Sequence, residues 1–132
     1  MADPGPGGAR PARILVVDDE LYNRDLMVRT FARAGEVVAA ADAIEAAALL
    51  ERWPADIVVT DLAMGRSQSG VDLARVVRAR WPAVLIVVVT GFDDEPGLIE
   101  ARGQGLVDDV IGKPWQPSVL RERVLGLLKT PR

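Results

Sequence analysis

The chain is predicted to fold as an α/β protein: one domain built on a parallel sheet with helices on both faces. Three observations carry this. Short, almost uninterrupted apolar runs recur at residues 14–17, 37–40, 57–60, 84–89 and 110–111. Segments with apolar residues at helical spacing fill the gaps, so strand and helix alternate five times. The 132 residues leave no room for a second domain. A strand that is apolar along its whole length is buried on both faces, as it would be in a parallel sheet between two helical layers.

Each element has its own signals. The first run ends in Asp18, Asp19 and Glu20, with Glu20 placed to act as a negative charge in the first turn of a helix. Met27, Phe31 and Ala34 fall at i, i+4 and i+7, and Gly35 is a candidate stop. Asp42 followed by Glu45 resembles a capping box, with Ala43, Ala47 and Leu50 as the buried stripe. In the third helix Leu73, Ala74 and Val77 share one face, with Arg75 and Arg78 expected to point outward. The helix over 95–104 should be the weakest and most mobile, because Gly97 and Gly103 each cost about 1 kcal/mol relative to Ala. Pro117 suits the first position of a last helix through Leu128, with Val119, Leu120, Val124 and Leu127 as its apolar face. Residues 1–12, rich in Pro and Gly, read as a flexible tail; 13–129 form the domain and 130–132 a second short tail.

Composition narrows the chemistry. Hydrophobic residues make up 49%, enough for a core and too many for a disordered chain. The net charge of -3 argues against nucleic acid as a partner, since phosphate binding needs a concentrated basic face. No apolar segment approaches membrane-spanning length and the N-terminus lacks the apolar core of a signal peptide, so a cytoplasmic location is expected. The sequence has neither cysteine nor histidine. A metal site must therefore use oxygen ligands, which suits a hard cation such as Mg2+.

Ligands of a parallel α/β sheet bind beyond the carboxyl ends of its strands. The first, third, fourth and fifth runs end in Asp18-Asp19, Asp61, Thr90 and Lys113. The second ends in alanines, as suits an edge strand away from a site. Singly, each polar residue is as well explained by a turn or a cap. Jointly they bring three carboxylates, a hydroxyl and an ammonium to one sheet edge. Clustered acids need a cation; Lys113 supplies one charge and a divalent metal would supply the rest. An Asp carboxylate can act as nucleophile towards a phosphoryl group, which then needs positioning and charge neutralisation more than acid/base groups. Lys113 would meet one phosphoryl oxygen and Thr90 another.

From Arg13 to Leu128 the sequence resembles the receiver domain of two-component response regulators, through "ILVVDDE", "DIVVTDLAM", "VVVTG" and "IGKPW" in that order. The resemblance implies a flavodoxin-like five-stranded sheet of order 2-1-3-4-5. It implies Asp61 as phosphoacceptor and Mg2+, with Mn2+ able to substitute, on Asp18, Asp19, Asp61 and the backbone carbonyl of Ala63. It implies Thr90 as a switch hydroxyl, Lys113 as the phosphate partner and a cis Lys113-Pro114 bond. The implied partners are a sensor histidine kinase or histidine phosphotransfer protein, and a second copy on phosphorylation. The implied role is a phosphorelay switch that catalyses its own phosphotransfer and dephosphorylation but is otherwise not an enzyme. Its output face would be the fourth helix, fifth strand and fifth helix.

Three positions depart from the family pattern. Gly65 stands where Pro is common, "MGRSQSG" is one residue longer than usual before Gly70, and Val110 replaces an aromatic. With Val110 there, the readout is expected from backbone shifts over 92–104. Three other readings compete. A haloacid-dehalogenase-like phosphatase wants a second Asp two residues after the first, where Ala63 stands. A flavodoxin-like binding module wants phosphate-cradling groups where "DDELYN" presents acids. A pseudo-receiver would not need the five side chains that this sequence keeps.

Overall fold

A computed structural model describes residues 10–64 and 69–130. The five strands are β1 (Ala12–Val17), β2 (Gly35–Ala40), β3 (Ile57–Asp61), β4 (Leu85–Thr90) and β5 (Asp109–Gly112). They pair in parallel in the order β2-β1-β3-β4-β5, as expected. The helices are α1 (Leu21–Phe31), α2 (Ala43–Arg52), α3 (Gly70–Arg80), α4 (Pro96–Gly103) and α5 (Pro117–Lys129). The fold is flavodoxin-like.

Alternation along the strands sends side chains into two cores. Ile14, Val16, Ile57, Val59, Val87 and Val89 face α1 and α5, where Met27, Phe31, Leu120 and Val124 are buried. Leu15, Val17, Val58, Ile86 and Val88 face α2, α3 and α4, meeting Leu50, Leu73, Val77 and Leu98. Each large side chain so buried contributes about 2 kcal/mol. This two-sided burial is why the strands read as continuous apolar runs.

Several helix details differ from expectation. Gly35 does not stop α1, which ends at Phe31; it opens β2, where a Cβ would stand 2.2 Å from the Ala12 carbonyl oxygen. Ala34, expected on the α1 stripe, follows the helix and packs on the same core. In α2 the buried stripe is Ala43, Ala46 and Leu50, one position round from Ala47. Asp42 accepts the Glu45 N–H at 2.8 Å, the first half of a capping box. The complete box is on α3, where Ser69 and Asp72 exchange bonds. Val119 is exposed, because α5 turns only Leu120, Val124 and the residues below them to the sheet.

α4 is the shortest of the helices at eight residues. Its ends are well made. The Glu95 carboxylate accepts the N–H groups of Gly97 and Leu98 at 2.9 and 3.0 Å. Gly105, at φ 74°, closes the helix, with Leu106 N–H donating to Ala101 and Gly105 N–H to Arg102.

The amino ends of the strands carry a repeated device. Asp56, just before β3, accepts the Arg13 N–H at 2.8 Å and both Arg10 guanidinium nitrogens at 2.9 Å. Asp108, just before β5, accepts the Ile86 N–H at 2.8 Å and Arg78 at 2.9 Å. Arg78 therefore does not point outward: it also donates to the Pro82 and Val84 carbonyls. β1 begins at Ala12, and Arg10 is anchored on Asp56. The rest of the N-terminal tail, Gly65 and the extra loop residue lie outside the described residues.

Asp108→Ala should cost about 3 kcal/mol, since it strands a part-buried Arg78 and the Ile86 N–H. Asp109→Ala breaks an ion pair with the half-exposed Arg123 and should cost about 1 kcal/mol or less. Urea unfolding of both variants checks this, and equal losses would contradict it.

Candidate functional site

The strand register fixes where the polar residues meet. Val17 pairs with Thr60, Asp61 with Val89 and Thr90 with Gly112, so four strands end at nearly one level. Asp18 follows β1, Asp61 ends β3, Thr90 ends β4 and Lys113 follows β5. All the side chains singled out above therefore lie along one edge. The Lys113-Pro114 peptide bond is cis.

Carboxylate oxygens of Asp18, Asp19 and Asp61 lie within 4.8 Å of one another. Asp18 is only 2% exposed and Asp61 8%, while Asp19 is open to solvent. Lys113 Nζ donates to Asp61 Oδ1 at 3.1 Å. Asp61 Oδ2 has no protein partner among the described residues, so one oxygen of this carboxylate is held and the other is available. Ala63 is exposed beside this cluster. Thr90 is buried, and its Oγ1 accepts the Phe92 N–H at 2.9 Å. The Thr90 hydroxyl proton is thus free to donate elsewhere. Val110 is partly buried against the α3–α4 core, with no polar atom to offer the site.

Asp18 has a pKa raised above 3.8. Burial is the main cause; Asp61 and Asp19 add to it, while the Glu20 N–H and Lys113 oppose it. Among the described residues, three carboxylates and one ammonium leave a negative pocket lined by oxygen ligands. That donor set fits a hard divalent cation such as Mg2+.

Sequence patterns did not single out Arg24, whose NH1 donates to the Asp18 carbonyl at 2.8 Å. Its spacing from Asp18 only becomes meaningful once α1 is known to begin at Leu21. Glu20 stands as the N-cap of α1, outside its first turn, and makes no side-chain capping bond. Beside Lys113, a groove of about 350 Å³ is lined by Asn23, Leu26, Pro114 and Trp115.

A parallel five-stranded sheet with an acid cluster, a buried hydroxyl and a lysine at its carboxyl edge defines a class of signalling domain. The response regulator receiver domain family matches residues 14–125, and the chain belongs to that family. It is 34% identical over 115 residues to the hydrogenase transcriptional regulatory protein HoxA of Cupriavidus necator, covering 87% of this chain and 24% of that protein. It is 31% identical over 118 residues to the two-component response regulator PhoP of Pseudomonas aeruginosa, covering 89% and 52%. The chain thus spans about a quarter of the first relative and half of the second. A CheY-like receiver domain protein from Methanospirillum hungatei superimposes with a TM-score of 0.82 at 26% identity, covering 89% and 94% of the two chains. Among the described residues no helix is long and apolar enough to cross a membrane.

The raised Asp18 pKa sets a pH dependence. The unfolded chain ionises this group near 3.8, the fold only above that value. Without metal, its contribution to stability is greatest below the unfolded value and is lost as pH rises through the folded one. Asp18→Asn keeps an acceptor for the Glu20 N–H and removes the charge. At neutral pH in chelator it should stabilise the fold. The gain should vanish in acid, below the ordinary Asp value. Thermal melts across pH measure this; a variant no more stable than wild type at neutral pH would show the charge to be harmless.

Proposed function

We propose that this domain is a phosphorylation switch in a two-component relay, with Asp61 as phosphoacceptor. The observation that carries the reading is the state of Asp61: part-buried, with Oδ1 tied to Lys113 and Oδ2 open beside two further carboxylates. Asp61 Oδ2 attacks the phosphorus of a phosphohistidine on a sensor kinase or phosphotransfer protein. The P–N bond breaks, its electron pair returns to the imidazole, and that ring takes up a proton as it leaves. Mg2+, or Mn2+ in its place, held by Asp18, Asp19, Asp61 and the Ala63 carbonyl, would neutralise charge on the phosphoryl oxygens. Lys113 exchanges Asp61 Oδ1 for a phosphoryl oxygen, and the Thr90 hydroxyl donates to another.

The signal leaves through the backbone. The Phe92 N–H rests on Thr90 Oγ1, so movement of the hydroxyl towards phosphate draws on the loop entering α4. With Val110 at β5, this loop carries the change that an aromatic rotamer would otherwise report. The α4–β5–α5 face, where Ile99 and Val119 are exposed, then binds a partner or a second copy. The groove beside Lys113 receives the phosphodonor protein. Residues 13–129 act as the receiver unit, in the cytoplasm and without nucleic acid contact of their own. Water later hydrolyses the aspartyl phosphate and resets the domain.

Incubation with Mg2+ and a small acyl phosphate, followed by intact-mass measurement, should show one added phosphoryl group. Asp61→Asn should lose it. No gain with any donor, or an undiminished gain in the variant, would remove Asp61 from this role.

A further inference from the structure

We infer that Arg24 is a positioning residue for the metal site, holding the β1–α1 turn so that Asp18 and Asp19 present their carboxylates together. The inference rests on the Mg2+ reading given under Proposed function.

Asp19 makes no side-chain hydrogen bond among the described residues, and it is exposed. Only the backbone of the turn places its carboxylate. Three hydrogen bonds at Asp18 hold that backbone. The Asp18 N–H donates to the Ala40 carbonyl of β2 at 3.2 Å. The Glu20 N–H donates to Asp18 Oδ1 at 2.9 Å. The Asp18 carbonyl, which has left the sheet ladder after Val17, accepts Arg24 NH1 at 2.8 Å. The last bond fixes the plane of the peptide joining Asp18 to Asp19.

Arg24 is badly placed for any purpose of the helix itself. It lies near the amino end of α1, where the helix dipole disfavours a cation. That end has no acid in its first turn and no side-chain cap. The Arg24 hydrogen bond at Asp18 goes to the main-chain carbonyl and not to the carboxylate. What remains is its bond to the carbonyl. Groups that hold metal ligands in place commonly tune affinity by 10–100-fold.

Calorimetric titration with MgCl2 tests this on the intact chain. Arg24→Met keeps the aliphatic stem and removes the donor; it should weaken Mg2+ binding about tenfold. Arg24→Lys, with a long stem and one ammonium, should recover most of that loss. Arg24→Gln is a milder second variant should methionine not be tolerated, and the same expectation applies to it. A purely structural arginine would lower the melting temperature and leave Mg2+ affinity within about twofold of wild type, and that result overturns the inference. Wild-type protein that binds no Mg2+ would sink the metal reading itself, whereas equal affinities sink only the role of Arg24.

Discussion

The rest of this structure turns on one electrostatic conflict. Asp18, Asp19 and Asp61 are brought within 4.8 Å at a partly desolvated sheet edge, and Lys113 pairs with Asp61 there. Burial raises the cost of ionising Asp18, and the neighbouring Asp61 and Asp19 add to it. The arrangement persists because two hydrophobic layers and an extensive strand ladder hold the strand ends where they are. The fold supplies the stability, and the site draws on it to hold the three carboxylates together.

The two edges of the sheet make the point by contrast. At the amino edge every singled-out acid is closed off: Asp56 and Asp108 each accept a backbone N–H of the neighbouring strand and an arginine. Asp56 has both oxygens engaged, and Asp108 takes both of its partners on Oδ2. At the carboxyl edge the acids are left short of partners. Asp19 has none from a side chain or backbone N–H among the described residues, and Asp61 uses one oxygen of two. Acids of the same type, a few residues from strand ends in both cases, thus differ in what faces them: an arginine and a backbone N–H at one edge, other carboxylates at the other.

Much of this was legible in the sequence. The apolar runs gave strands to within a residue or two, because burial on both faces leaves no polar interruption. Asp18, Asp19, Asp61, Thr90 and Lys113 were found because parallel strands end together at one edge. What was missed follows from physics that local pattern does not carry. Gly35 resembles a helix stop but is needed for the close approach of β2 to the Ala12 carbonyl. Ala46 and Ala47 cannot be told apart by apolarity when the helix phase is set by packing. Arg78 looks like a solvated charge until Asp108, thirty residues away, is placed beside it. Arg24 makes its decisive bond to a backbone oxygen, which no side-chain motif records.

Under the function proposed above, the carboxyl-edge acids form a site for a divalent cation. Thermal unfolding with and without MgCl2 in wild type and Asp19→Ala tests it most directly, since Asp19 contributes little to the fold by itself. Mg2+ at ten times its dissociation constant should stabilise wild type by about 1.4 kcal/mol. Most of that gain should be gone in Asp19→Ala at the same concentration. An unchanged wild-type melt, or an equal gain in the variant, would contradict the account.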